Sequence, residues 1–293
     1  MFFTFSNLFL FFIIFDIQSV ISFNPYIIET ICPIQLRTTL NRELNKKTNK
    51  IAWKTAKSIL HNEINNINIY GESKCLNVEH TFPQCLFNDH IRKCEMKTDL
   101  HSLFLSSTKI NSYRKNYKYI GPPDLQLLND KEIDSFDAIN QYGEKIEHLH
   151  EYIHYQDKVM LLSKKHKLFV PSKYSRGKIS RALAYIAVKY DYIHILPSVI
   201  DIDTLILWNI QYPVDKDEYL KNIITSKYQN THNPFVIHPE LVIYSFSDFI
   251  NSDYSVFEDN KNTVHAVNYL IEEIKENDVT VNTLLKLINR KRK

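Results

Sequence analysis

Apolar side chains return every three or four positions along residues 36–65, with Ile51, Trp53, Ala56, Ile59 and Leu60 on one side, which predicts one or two amphipathic helices. From residue 75 to 105 the apolar stretches shorten and are broken by Pro83 and mixed charge. That pattern predicts strands joined by a loop, followed by a short helix over residues 111–117. Residues 121–167 are polar, charged and rich in His, and read as a long excursion from the compact core. A helical period resumes over 177–190, where Ile179, Leu183 and Ile186 form the apolar side, and again over 202–208 and 216–227, with a break at Pro213. Residues 265–288 are amphipathic, with a break at 277–280. Helices flanking a strand-rich segment predict an α+β fold, and the absence of an internal repeat or Gly/Ser linker predicts a single domain.

The ends of the chain change this picture. Residues 1–22 carry one charge, Asp16, and contain the apolar run from Leu8 to Phe15, too short to span a bilayer but suited to the core of a signal peptide. A cut near Phe23 predicts a secreted or lumenal protein with no membrane segment left, its formal charge rising from +3 to about +4; an uncleaved amphipathic or buried N-terminal helix is the alternative. So small an excess permits a polyanionic partner without demanding one. Cys32, Cys75, Cys85 and Cys94 remain in the mature chain, and an oxidising compartment permits two disulfides. A Cys75–Cys94 bridge would brace the segment around His80; free buried thiols are the alternative. The chain closes on a basic cluster at 289–293.

Hydrolysis of a phosphodiester needs a base for water, a cation against the phosphoryl oxygens and a proton source for the leaving alkoxide. His is a base near neutral pH. A hard cation such as Mg²⁺ prefers oxygen ligands, a carboxylate and an amide carbonyl among them, with water completing its shell. Glu79-His80, then Asp99-Leu100-His101, then Asn111 offer these groups in order. A bend or strand end at position 80 would let neighbouring side chains converge, and Arg114, one helical turn beyond Asn111, would meet a phosphate bidentately. Singly, His80 suits a hydrogen-bonded strand histidine, Glu79 a solvated acid and Asn111 a helix N-cap.

The full string is more specific. Asn77-Val78-Glu79-His80-Thr81-Phe82-Pro83-Gln84, Asp99-Leu100-His101-Ser102-Leu103-Phe104 and Asn111-Ser112-Tyr113-Arg114-Lys115-Asn116 resemble the endonuclease I family of periplasmic and secreted nucleases. The resemblance continues through Phe169-Val170-Pro171, the segment from Arg176 to Ala182, Leu207-Trp208, Tyr212-Pro213-Val214, Glu218, Gln229, Asn233-Pro234-Phe235 and His238-Pro239-Glu240, covering residues 75–242 in order. It implies a ββα-metal (His-Me finger) core with surrounding helices, in a nuclease domain spanning 23–293 with a helical and basic C-terminal extension at 262–293. It also implies cleavage of DNA, and often of RNA, with little sequence preference and 5′-phosphate products. By carry-over His80 activates water, Glu79 and Asn111 hold Mg²⁺ or a similar cation such as Mn²⁺ or Ca²⁺, and an arginine, Arg92 or Arg114, faces the scissile phosphate. Arg176, Lys178 and Arg181 become candidate nucleic-acid contacts, with ion pairs as the competing role for the arginines. His101 divides between a second metal or phosphate contact and a structural role across the hairpin from His80, and the structural role is favoured. The chain departs from the family at Asn230-Thr231-His232, where Gly-Asn-Arg is common, at Lys178, which replaces an acid, and at Cys85, which replaces a Ser.

One competing motif belongs to another enzyme class. His150-Glu151-Tyr152-Ile153-His154 spells HExxH, which on a helix presents two imidazoles to Zn²⁺ and would make the chain a secreted zinc metalloprotease. No Gly-x-x-His follows it, and it lies in the polar excursion. A structural zinc site from Cys75, Cys94, His80 and His101 lacks paired C-x₂-C spacing and would consume the proposed base. A catalytically inactive nucleic-acid-binding relative is the third class, against which the intact Glu79, His80 and Asn111 stand.

Overall fold

The computed structural model describes residues 32–249 apart from 47, 66, 72–74, 88–89, 122–134 and 147–157. The four-residue repeat of Leu36, Leu40 and Leu44 puts all three on one buried stripe of α1, Pro33–Lys46. Its Pro33 stands at the first helical position, where a missing N–H breaks no bond. Helix α2, Trp53–Asn62, buries Ala56, Ile59 and Leu60. The periodicity groups Trp53 with them, yet Trp53 stays exposed at the first position of the helix.

Strand β1, Leu76–His80, leads into a 3₁₀ turn at Gln84–Phe87 and the short helix α3, Lys93–Thr98. Strand β2, Leu103–Ser107, then pairs antiparallel with β1, setting His80 opposite Leu103 and Glu79 opposite Phe104. Helix α4, Thr108–Arg114, follows β2 directly and packs on both strands. It begins three residues before the expected position, so Asn111 lies inside the helix rather than opening it.

The expected excursion over 121–167 is in part a second sheet. Strands β3 (Lys118–Tyr119), β4 (Asp137–Ile139), β5 (Lys145–Ile146), β6 (Met160–Ser163) and β7 (Leu168–Val170) order as β3-β7-β6-β4-β5, with β3 parallel to β7 and the other pairs antiparallel. Ile120, Phe136, Ala138, Val159, Leu161 and Val170 form its own apolar cluster. Strands of two to four residues are too short to display a period, which is why the segment reads as loop.

Helix α5, Lys173–Lys189, is buried on almost every side from Ser175 onward. It is packed by α1, by α6 (Ile202–Gln211), and by α8 (Pro234–Ile237), with α7 (Lys216–Gln229) and α9 (Leu241–Phe246) completing the helical layer. Gly177 permits the closest approach: a Cβ there would lie 2.2 Å from the Tyr212 carbonyl oxygen and 2.7 Å from an Arg181 nitrogen. Asp215 caps α7 by accepting from the Glu218 N–H at 2.8 Å, and Asn230 ends it in the left-handed conformation at φ 55°. Asn233 caps α8 through the Phe235 N–H at 2.9 Å, with Pro234 at the first helical position.

The four cysteines are exposed thiols and none of the considered disulfides is formed. Among the described residues no helix is long and apolar enough to cross a membrane. The leader at 1–22, the extension at 262–293 and the HExxH motif at 150–154 lie outside the described residues.

Candidate active site

The end of β1 turns both Glu79 and His80 toward the protein interior, and both are buried. The His80 imidazole is held on three sides. Its Nε2 lies 3.0 Å from the Lys97 carbonyl oxygen in α3, its face stacks on Trp53 with centroids 5.7 Å apart at 14°, and the Phe87 ring meets it edgewise at 6.2 Å. A carbonyl only accepts, so Nε2 carries the proton and Nδ1 keeps the lone pair. Burial pushes the imidazole pKa down to about 4, the bond to the Lys97 carbonyl partly opposes this, and the Lys97 and Arg114 charges add to the depression. At neutral pH the ring is the free base.

Glu79 is pinned through Oε1, which accepts from the Tyr70 hydroxyl at 3.1 Å and lies 3.2 Å from Arg114. Burial pushes its carboxyl up to about 7, against the opposing pull of Arg114, Tyr70 and the His80 N–H. Asn111 donates from Nδ2 to the Val78 carbonyl at 3.3 Å, which ties α4 to β1 and fixes the amide so that Oδ1 is its acceptor face. A carboxylate and an oriented amide oxygen, from adjacent elements, make an oxygen donor set that fits a hard divalent cation. No group of three His, Cys, Asp or Glu able to hold a metal exists among the described residues, so two protein oxygens and water would complete such a shell, as Mg²⁺ tolerates. The set Cys75, Cys94, His80 and His101 does not assemble.

The arginines separate clearly. Arg114, expected to face a phosphate, is buried under the site: besides Glu79 it donates to the Thr81 and Lys115 carbonyls at 2.9 Å each and lies 4.5 Å from the Tyr119 ring centroid. Those contacts spend its fork on the fold and leave no open side for substrate. Arg92 remains partly exposed at the start of α3, bonded to Glu95 at 2.5 and 3.0 Å and to Asn45 at 2.8 Å. Lys97 lies five positions further along, about 7.5 Å along the axis.

The three candidate nucleic-acid contacts on α5 are also engaged within the fold. Arg176 is buried, donating to the Pro171 carbonyl at 3.1 Å and the Tyr212 hydroxyl at 2.9 Å. Arg181 forms a buried bidentate pair with Glu218 at 2.8 and 2.6 Å. Lys178 donates to Asp215 and to the Tyr174 carbonyl. Both arginines are buried and bonded within the fold, the role that competed with nucleic-acid contact, while Lys178 is only partly buried and its partner Asp215 is half exposed.

His101 is structural, though not paired across the hairpin. It is buried, its Nε2 donates to the Thr231 carbonyl at 2.8 Å, and its ring packs on Tyr185 at 4.6 Å. Burial pushes its pKa down to about 3. Next to it Asp99 is buried against Lys189 at 2.6 Å and the Tyr190 hydroxyl at 2.8 Å; burial pushes its carboxyl up, but the Lys189 charge and these bonds hold it below the usual range. Sequence reasoning overlooks Trp53, Tyr70, Phe87 and the Lys97 carbonyl as parts of the site. Only Trp53 carries a signal, as a large aromatic at a helix start among lysines.

The Endonuclease I family model matches residues 16–147 and 155–240, most of the chain. A protein from Buchnera aphidicola subsp. Baizongia pistaciae (strain Bp), named Endonuclease-1, is 26% identical over 205 residues, a stretch that takes in 70% of this chain and 66% of the relative's length. The two matched stretches flank residues 148–154, so HExxH falls in the interval that the family model skips. With the ordered motifs around Glu79, His80 and Asn111, a match of this extent makes the chain a member of the Endonuclease I family.

Proposed function

We propose that the chain is a secreted, metal-dependent endonuclease of the His-Me finger type, hydrolysing DNA, and RNA as well, with little sequence preference. The observation that carries this reading is the orientation of His80: Nε2 is committed to the Lys97 carbonyl, which leaves Nδ1 as the base, on the strand that carries Glu79 and to which Asn111 is tied through the Val78 carbonyl. Nδ1 takes the proton of the attacking water. An approaching phosphate brings negative charge to the imidazole and raises its affinity for that proton. Glu79 and Asn111 would hold the cation, Mg²⁺ or a similar ion, whose charge offsets that of the phosphoryl oxygens. Cleavage that leaves 5′-phosphates follows from this family reading. Of the two arginines, Arg92 at the far end of α3 from His80 keeps part of its side chain open and would meet a phosphate by giving up its pair with Glu95, while Arg114 is paired with Glu79 and positions it. Residues 1–22 serve as the removed leader, and 23–293 as the nuclease domain with its basic extension.

Purified chain is incubated with supercoiled plasmid and with RNA, in Mg²⁺ or in chelator, beside His80→Gln and Glu79→Gln. Nicking that needs the cation and falls at least about a hundredfold in His80→Gln is expected. Intact nucleic acid with the wild-type chain would sink the reading, and activity persisting in His80→Gln would refute the assigned base.

A further inference from the structure

The two helices that hold the His80 ring, α2 and α3, also present exposed cations. Trp53 begins α2, is 38% exposed, and covers one side of the His80 ring in near-parallel stacking. The imidazole takes part of the indole, and the residue still remains open to solvent. Lys57 lies one helical turn along the same side of α2 as Trp53, and Lys54 beside it; both are exposed. Lys93 and Lys97 are exposed on α3, whose Lys97 carbonyl accepts the hydrogen bond from His80 Nε2. Lys50 bridges from the loop before α2 to Glu95 at 2.8 Å, next to Arg92. Glu95 is the one acid within residues 50–62 and 92–98, against six lysines and arginines.

An aromatic plate in a cationic groove is the arrangement by which proteins hold a nucleic-acid strand without reading its sequence: charges track the phosphates and any base can lie on the ring. We infer that Trp53 is a substrate-contact residue, stacking an unstacked nucleobase beside the phosphate presented to His80, with Lys54, Lys57 and Lys97 along the adjoining backbone. The inference rests on the nuclease reading of this site and deepens it. It makes a single strand, or a locally opened duplex, the substrate form that the site grips, because a base inside a duplex has no free face to offer. It also couples grip to chemistry, since the plate that takes the base is the one against which the catalytic imidazole leans.

The chain contains two tryptophans, and the other, Trp208, is wholly buried, so a strand stacking on the protein is reported by Trp53 emission. The full chain is titrated in chelator with a short single-stranded DNA, with an abasic strand of the same length, and with the matching duplex. Quenching by the base-containing strand, weaker quenching by the duplex and none by the abasic strand are expected. Trp53→Ala should bind the base-containing strand roughly 5- to 100-fold more weakly while binding the abasic strand unchanged, and Trp53→Phe should restore most of the loss. Absence of quenching, or an equal loss by Trp53→Ala on both strands, would overturn the inference. Plasmid cleavage in Mg²⁺ separates the two readings: quenching without cleavage discards the nuclease and keeps the plate, and cleavage without quenching does the reverse.

Discussion

Helix α5 and the face built by α2 and α3 are both rich in cations, and the two regions use them for opposite ends. On α5, Arg176, Arg181 and Lys189 are buried and answered by acceptors from distant parts of the chain, Glu218 and Asp99 among them. On α2 and α3, Lys54, Lys57, Lys93 and Lys97 stand in solvent. A cation that is desolvated and paired belongs to the fold, because its removal strands a buried carboxylate. A solvated one is available to a partner and nearly irrelevant to stability. The buried half should therefore answer to substitution and pH, and the exposed half to salt.

The sharpest break in this comparison is Arg181→Ala. It leaves Glu218 buried without its counter-charge and should cost about 3–5 kcal/mol in chemical denaturation, whereas Arg181→Met with Glu218→Leu should recover much of that loss. If Arg181→Ala instead keeps wild-type stability and weakens nucleic-acid binding, α5 belongs to the interface after all.

Next in size is pH. His101 has a folded pKa near 3, against about 6.5 when unfolded. Between these values the unfolded chain holds a proton that the folded one does not, so this contribution is complete above pH 6.5 and is lost as pH falls toward 3. From pH 7 to pH 5 the loss should be about 2 kcal/mol, and His101→Gln should flatten the profile. An equally steep profile in that variant would assign the sensitivity elsewhere.

The smallest effect on stability should come from Lys54→Gln with Lys57→Gln, within about 0.5 kcal/mol. The pair should nonetheless weaken strand binding at low salt, and flatten the dependence of log affinity on log salt by about 0.7 for each single-strand phosphate that is no longer neutralised. An unchanged salt slope would remove these lysines from the interface.

Legibility in the sequence follows the same division. Glu79, His80 and Asn111 stand close in sequence, on a strand and on the helix that follows its partner; that helix starts at the Leu76 end of β1 and runs back along it, so Asn111 reaches the Val78 carbonyl and Arg114 the Thr81 carbonyl. The α+β class and the principal helices were readable from periodicity for the same reason. The fate of the arginines was not. An arginine in a helical segment has the same local signature whether it meets solvent or Glu218, and that partner arrives 37 residues later. Arg114 misleads in this way: its spacing from Asn111 fits a phosphate contact, but Glu79, Thr81 and Tyr119 enclose it. Trp53 errs in the other direction, apolar by pattern yet open to solvent, because it stands at the helix start where the buried stripe has not begun.

The bond from His80 to the Lys97 carbonyl has one more consequence. The last carbonyls of a helix have no partner within it, and Lys97 is the penultimate residue of α3. The imidazole is thus the C-terminal cap of a helix of six residues, too short to persist on its own cohesion. Fraying of that last turn would release the ring to swivel, and an alanine at position 80 would uncap the helix as well as remove the base. The drop in activity of such a variant would mix chemistry with local melting, which is why a side chain able to donate to the same carbonyl makes the cleaner test.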